Sequence, residues 1–512
     1  MGFYTVLSAS VQGLGVEFVQ VEADASNGLP VFHMVGYLSS EVKEAAERVR
    51  TAMRNTGYLL PAKKVVVNLS PACVKKRGTV FDLPIAVAVL GALQVFSERI
   101  PEDTLFVGEL GLDGRLQPVD GVLPIVSEAK ERGVKRCVLP LDNMKEGRLV
   151  GGIQILGAET LEEVCEWLKS GCSIEDEVKM ENENPVHVMP EPGIDYSDIL
   201  GQESVKRATL VAVAGNHNLL YIGPPGSGKT MMAKRIPTIL PALTRSESLE
   251  ITRIYSAAGL IRGDDPLILE RPFREVHHTV TRAALVGGGK IPTPGEVTLA
   301  HKGVLFLDEI AEFQRGVLEV LRQPLEEKCV HLARQQGVYL FPANFMLVAA
   351  MNPCPCGYYP DLSRCTCTVA QIQKYLGRLS QPFLDRLDIC VDAPKVKYHD
   401  LTGTKARLSS VEMRRMVEAA RKRQYSRFER TNISTNSQMR RDELKKYCRL
   451  SREGERMMRQ AYEVMNLTAR SYHKILKVSR TIADLDGTEE ILEEHVKEAI
   501  GYRMIDKKYW GY

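Results

Sequence analysis

Apolar residues recur along this chain in two rhythms. Compact runs such as "KKVVVNLSP" and "KRCVLPL" have the length and branched composition of buried strands, whereas "SEVKEAAERVRTAMRNTG" and "DLPIAVAVLGAL" read as helices. Interleaved over roughly the first 168 positions, they predict an α/β or α+β domain. From Ser170 to Asp195 large apolar residues become scarce and acidic residues and prolines take over, which predicts a linker. Strand and helix patterns then alternate from Tyr196 to about Pro394, and beyond residue 400 the pattern is almost wholly helical, with Arg and Lys on the polar faces. The expected order is an N-terminal domain (1–169), a linker (170–195), an α/β core (196–396) and a helical lid (397–512).

Composition adds an asymmetry to that picture. A chain of 512 residues exceeds what one core holds, and 44% hydrophobic with 26% charged residues is ordinary for a folded protein. The net charge of +3 conceals a tail, residues 401–512, with 25 Lys+Arg against 16 Asp+Glu. Such an excess fits either contact with nucleic acid or a solvated basic helical face. The N-terminal residues lack the basic and then long apolar pattern of an export signal, and no apolar run is long enough to span a bilayer, so a cytoplasmic protein with no membrane partner is expected. Eleven cysteines in such a chain argue for metal binding or burial over a disulfide framework.

The chemistry concentrates in two stretches. "GPPGSGKT" supplies Gly223, Pro224, Pro225, Gly226, Ser227, Gly228, Lys229 and Thr230 at P-loop spacing, between a strand-like "NLLYI" and a helix-compatible "TMMAKRI". Backbone N–H groups of such a loop wrap phosphates, Lys229 pairs with the β- and γ-phosphates, and the Thr230 hydroxyl ligates Mg²⁺. Downstream, the apolar run Val304–Leu307 delivers Asp308 and Glu309 to the end of a strand. The first carboxylate can hold the metal and the second can deprotonate water, so the pair points to ATP hydrolysis rather than binding alone.

Together with "DILGQESVKRAT", "VHHTVTRAALVGGGKIPTPGEVTLAHKG", "AAMNPCPCG", "LSQPFLDRLDI" and "KVSRTIADLDG", these motifs resemble, in order and over nearly the whole chain, the AAA+ ATPases of the magnesium-chelatase-like ComM/YifB family. The resemblance implies an AAA+ P-loop core, a magnesium-chelatase-type helical lid and a closed homo-hexameric ring. It implies that Asn352 orients the attacking water, that Arg386 is an arginine finger offered to a neighbour's γ-phosphate, and that Arg480 is a lid arginine that senses the γ-phosphate. By the same similarity Ile199, Leu200 and Gly201 lie near the adenine. By spacing alone Arg386 reads equally as a surface ion pair, and the last three as core packing.

"LFVGELGLDGRLQPVDGVLPIVSEAKERGVKRCVLP" resembles the proteolytic domain of Lon, a ribosomal-protein-S5-domain-2-like α+β fold, and raises the rival function of a protease. In that alignment the catalytic serine falls on Asp82 and the catalytic lysine on Leu123, which removes the acyl-transfer chemistry. Ser70 with Lys75 or Lys76 stays open as a shifted dyad.

Two further stretches carry candidate chemistry. In "NPCPCGYYPDLSRCTCT", Cys354, Cys356, Cys365 and Cys367 form two C-x-C pairs, a set that suits structural Zn²⁺ and also reads as free thiols or a redox pair. Between His277 and Gly303, three consecutive glycines, Lys290 and two prolines predict a mobile loop or hairpin, either a pore loop that tracks a phosphate chain or a plain turn; His277 and His278 read as packing or hydrogen-bonding residues. The family resemblance implies a motor that moves single-stranded or branched DNA, a branch-migration helicase of recombination or natural transformation. A chelatase-type ATPase that remodels a partner protein for metal insertion is the alternative. An ATP-switched scaffold is a third reading, and an intact Glu309 opposes it.

Overall fold

The computed structural model describes residues 2–96, 103–170, 194–261, 265–289, 292–334, 337–396, 398, 408–431 and 433–511. Residues 171–193 of the expected linker and Lys290 of the expected pore loop lie outside them.

The N-terminal region is built on a seven-stranded mixed sheet. Strands β1 (Gly2–Gln12), β2 (Gly15–Ser26), β3 (Val31–Val35), β4 (Lys64–Ser70), β5 (Thr104–Phe106), β8 (Arg136–Pro140) and β9 (Gln154–Ala158) lie in the order β3-β4-β2-β1-β5-β8-β9; β6 (Glu109–Leu110) and β7 (Leu116–Gln117) pair apart from it. The β1–β2 and β2–β4 pairs are antiparallel and the rest parallel. Along β2 the period of two is visible in burial, since Val19, Val21, Ala23 and Ala25 face the core while the intervening polar residues face out. Helix Ser40–Asn55 contributes only its stripe of Val42, Ala45, Val49, Ala52 and Met53. Helix Asp82–Ala92 is apolar all round and is buried all round, Asp82 included.

The second sheet is all parallel. It comprises β10 (Leu219–Ile222), β11 (Phe273–Val276), β12 (Val304–Leu307), β15 (Met346–Met351) and β16 (Ile389–Asp392), in the order β11-β12-β15-β10-β16. Every residue of β10, β12 and β15 is buried, which explains why these strands read as unbroken apolar runs. An antiparallel hairpin, β13 (Cys329–Arg334) with β14 (Gly337–Pro342), stands outside the sheet and meets the N-terminal region at the β1–β2 turn. There Gly13 packs so closely on Tyr339 that a Cβ would sit 2.9 Å from its ring. A second junction joins the two regions where Ser256 Oγ, in helix Arg245–Ala257, donates to Glu146 Oε1 at 2.6 Å.

The C-terminal helices, Ser410–Phe428, Arg441–Tyr447, Arg452–Val464, Ala469–Asp486 and Glu493–Trp510, share one apolar core with the parallel sheet: Met413, Val417, Ile475 and Ile482 pack with Val205, Val211 and Leu219. Two of the polar anchors of helix Ala469–Asp486 fall at the N-terminal ends of the strands. Thr481 Oγ1 lies 2.8 Å from His217 Nε2, just before β10, and Lys474 Nζ donates to the Leu387 carbonyl at 2.7 Å, just before β16. No helix among the described residues is long and apolar enough to cross a membrane.

The segment from His277 to Gly303, where the glycines predict a mobile loop or hairpin, also holds regular structure. Among its described residues it contains two short helices, Arg282–Val286 and Glu296–Leu299, whose Leu285 and Val297 are buried. Gly288 and Thr293 form an isolated antiparallel bridge between them.

Candidate nucleotide site and cysteine cluster

The phosphate loop leaves the C-terminal end of β10, the end at which open α/β sheets place their ligands, and runs into helix Lys229–Lys234. Gly226 and Gly228 adopt φ of +74° and +84°, conformations that ordinary side chains resist. Gly223 sits so near the Ala393 carbonyl that any Cβ would collide with it. Lys229 is 9% exposed, and its Nζ donates to the carbonyls of Gly223 (2.8 Å) and Pro224 (3.0 Å) and to Asn352 Oδ1 (3.2 Å). Burial pulls its ammonium below the usual lysine range, against the opposing pull of Asp308 and Glu309. A desolvated cation over a glycine cradle suits an anion, and the buried Ser227 Oγ beside it has no partner among the described residues.

Thr230 and Asp308 meet directly, with Thr230 Oγ1 donating to Asp308 Oδ2 at 2.7 Å. They join the first turn after the P-loop to the end of β12, so one hydroxyl and one carboxylate are in place for Mg²⁺. The next residue, Glu309, takes a left-handed φ of +50°, which turns its carboxylate out to solvent beside the loop. His278 Nδ1 lies 3.9 Å from Glu309 Oε2. The sequence gives this histidine a packing or hydrogen-bonding role and no partner. Its position right after β11, next to the β12 end, is the signal that places it beside Glu309.

Ile199 is buried in the core, and Gly201 and Gln202 both take left-handed φ, a pair of turns that brings Gln202 Nε2 within 3.2 Å of the Ser227 carbonyl. The segment with Ile199, Leu200 and Gly201 therefore borders the P-loop, and Gln202, which the sequence analysis passed over, is the tie between them.

The two arginines are not brought to this chain's own phosphate loop. Arg386 is clasped by Glu326, with Nη2 donating to Oε1 at 2.5 Å, and by the carbonyl of Pro382, leaving its side chain 9% exposed. Arg480 is buried, with Nε on Asp484 (3.1 Å), Nη1 on the Glu489 carbonyl (2.5 Å) and Nη2 on the Thr488 carbonyl (2.6 Å). It precedes Thr481, the residue on His217, so it belongs to the N-terminal end of the sheet while the P-loop occupies the other. Its side chain is thus held within the C-terminal helices and not beside this chain's own phosphate loop.

The cysteines do converge. Sγ of Cys354 lies 3.3 Å from that of Cys356 and 3.8 Å from that of Cys365, Cys356 and Cys365 are 3.5 Å apart, and the four thiols including Cys367 all fall within 4.8 Å of one another. Tyr359 N donates to Cys354 Sγ at 3.4 Å. Cys354 follows Asn352 and Pro353 off the end of β15, so the cluster begins two residues from the lysine-bound asparagine.

In the N-terminal region the aligned protease positions are structural. Asp82 is wholly buried and receives Arg48 Nε at 2.7 Å and Nη2 at 2.9 Å; burial pushes its carboxyl up while Arg48 pulls it down. Leu123 is core, and buried Lys76 donates to the Pro71 carbonyl. Among the described residues no hydrogen bond joins Ser70 to Lys75 or Lys76, so the shifted dyad is not assembled.

Comparison with known proteins gives the same outline. Three family descriptions match in succession: subunit ChlI of Mg-chelatase over residues 21–143, magnesium chelatase subunit ChlI over 195–401, and its C-terminal region over 407–503. Competence protein ComM of Haemophilus influenzae is 40% identical over 508 residues, covering 99% of this chain and 98% of that protein. Protein YifB of Escherichia coli is 40% identical over 509 residues, with coverage of 99% and 98%. A peroxisomal Lon protease homolog 2 of Oryza sativa subsp. japonica is 30% identical over 184 residues, 32% of this chain and 20% of that protein.

Proposed function

We propose that this chain, which belongs to the magnesium-chelatase-like ComM/YifB family of AAA+ ATPases, uses ATP hydrolysis to move branched or single-stranded DNA. The observation that carries the reading is the convergence of Lys229, Thr230, Asp308, Glu309 and Asn352 at one end of a parallel sheet. The P-loop residues 223–230 would hold the phosphates, and Thr230 with Asp308 would hold Mg²⁺, which neutralises charge on the β- and γ-phosphates. Glu309 takes the proton of the attacking water, and Asn352, tethered to Lys229, orients that water. Ile199, Leu200 and Gly201 flank the base from the Gln202 side.

Arg386 serves a neighbouring copy in a homo-hexamer, so in the ring it leaves Glu326 and turns outward. We read Arg480 as a clasp that fixes Asp484 within the C-terminal helices. The N-terminal sheet is a Lon-like platform without protease chemistry, a reading that the internally paired Asp82 supports. Domain limits of 1–169, 196–396 and 397–512 go with this assignment.

DNA is favoured as the load by the basic excess in residues 401–512 and by the competence role in the name of the Haemophilus relative. The chelatase-type alternative, remodelling of a partner protein, is kept alive by the three ChlI descriptions. Steady-state ATPase with no polymer, with single-stranded DNA and with a four-way junction separates them, with Glu309→Gln as the blank. Stimulation by DNA supports the motor; brisk hydrolysis indifferent to every DNA sinks it in favour of a protein partner.

We also propose that the four cysteines hold a structural zinc. Their closest separations of 3.3–3.8 Å approach the edge of about 3.8 Å expected for a tetrahedron with Zn–S of about 2.3 Å.

A further inference from the structure

The cysteine loop is more than an appendage of the sheet, because it touches the phosphate loop directly. Gly357, between the two C-x-C pairs, takes φ of +84° and lies against Pro225 of the P-loop; a Cβ there would sit 2.4 Å from the proline Cδ. Its N–H donates to the Cys354 carbonyl at 3.0 Å, so the contact is built on the first metal-ligating residue. Upstream, Asn352 holds Lys229 Nζ at 3.2 Å. Downstream, the Tyr359 ring packs on Tyr509 of helix Glu493–Trp510 with centroids 6.2 Å apart. Tyr509 in turn donates to Asp392 Oδ1 at 2.9 Å, at the end of β16. Ala393, next in the chain, donates its N–H to the Ile222 carbonyl and sets its own carbonyl against Gly223. The P-loop is therefore bracketed by two paths that both start at the cysteine cluster.

We infer that zinc in the cysteine cluster braces the phosphate loop, so that metal occupancy sets the affinity of the chain for nucleotide. The inference rests on the zinc reading above. The segment Pro353–Cys367 has little regular structure of its own, and it holds its shape against Pro225 only if the thiolates are tied together. With metal bound, Gly357 and Asn352 press on the loop from two sides and keep its N–H groups and Lys229 aimed inward. Without metal, the loop loses that backing and must be ordered by the nucleotide itself, which lowers affinity.

The test uses the full chain. Zinc content is measured by elemental analysis, and dissociation of a fluorescent ADP analogue is measured for wild type, for the double variant Cys365→Ser with Cys367→Ser, and for Gly357→Ala. Wild type is expected to carry one zinc per chain, the double serine variant none, and both variants to bind nucleotide about tenfold or more weakly. Gly357→Ala keeps every thiolate, so its zinc stays while its contact with Pro225 is lost; that result separates the brace from general unfolding. Coupling must also appear in reverse, with ADP raising the zinc affinity measured against a chelator by the same factor. Zinc present in wild type but nucleotide affinity unchanged in both variants overturns the brace and leaves the zinc reading standing. No zinc in wild type, and none taken up on titration, overturns the zinc reading and the brace with it.

Discussion

The two sheets of this molecule treat charge in opposite ways. In the N-terminal sheet the buried ionisable groups are matched inside the protein: Asp82 has Arg48, and Lys76 has a backbone carbonyl. At the end of the parallel sheet the charged groups are gathered around an open glycine loop instead. Lys229 is desolvated over carbonyl oxygens and one amide, Ser227 Oγ is buried with no partner among the described residues, and the Glu309 carboxylate faces solvent in a conformation that few non-glycine residues adopt. Similar layers of strand and helix therefore yield a platform in one case and a reactive site in the other. The difference lies in where the charges point, into the fold in one case and toward the glycine loop in the other.

The sharpest way to break the comparison is to neutralise one residue on each side. Glu309→Gln is expected to lower ATP turnover by about a thousandfold while nucleotide binding persists, as measured by steady-state kinetics and an equilibrium binding assay. Asp82→Ala should do the reverse. It is expected to destabilise the N-terminal region by about 3 kcal/mol, because Arg48 loses its buried partner, and to leave ADP affinity unchanged; urea unfolding reads the first and fluorescence titration the second. A large loss of nucleotide affinity in that variant would mean the platform is not passive.

Smaller effects sharpen it further. Glu326→Gln removes the clasp on Arg386, an ion pair worth up to about 1 kcal/mol, so ATPase at low protein concentration should rise roughly two- to fivefold as arginines become free for neighbours. A fall in activity instead would show that Glu326 aims the finger rather than withholding it. Ser70→Ala is expected to change neither ATPase nor stability beyond about 0.5 kcal/mol, and to leave any peptidase signal at its background.

The local parts of the site were legible in the sequence and the long-range ones were not. Gly226, Gly228 and the strand–turn–helix around them announce the phosphate loop because glycine there is a backbone requirement. The apolar run before Asp308 fixes where that carboxylate emerges. The spacing of Cys354, Cys356, Cys365 and Cys367 suffices for convergence because turn residues separate the pairs. The surroundings of Arg480 were not legible for a physical reason: the pattern of an amphipathic helix says which face is buried but not which end of a sheet it is buried against. The partners of Gln202, His278 and Glu326 were not legible, since each acquires its partner only when segments far apart in the chain are brought side by side. Between His277 and Gly303 the glycines announce the loop or hairpin, whereas the short helices around "RAALV" and "EVTL" depend on burying Leu285 and Val297 against distant parts of the chain.

The helix Glu493–Trp510 lies against β16, an edge strand of the parallel sheet, and fastens there through Tyr509 and Lys508 on Asp392 and through Trp510 Nε1 on the Leu376 carbonyl. On the ribosome these residues emerge after all the strands. A nascent chain that has already made its P-loop and both carboxylates still carries an uncovered flank on β16, so the interval between translation of Asp392 and translation of Trp510 is the period in which it is exposed to misassociation and most in need of a chaperone.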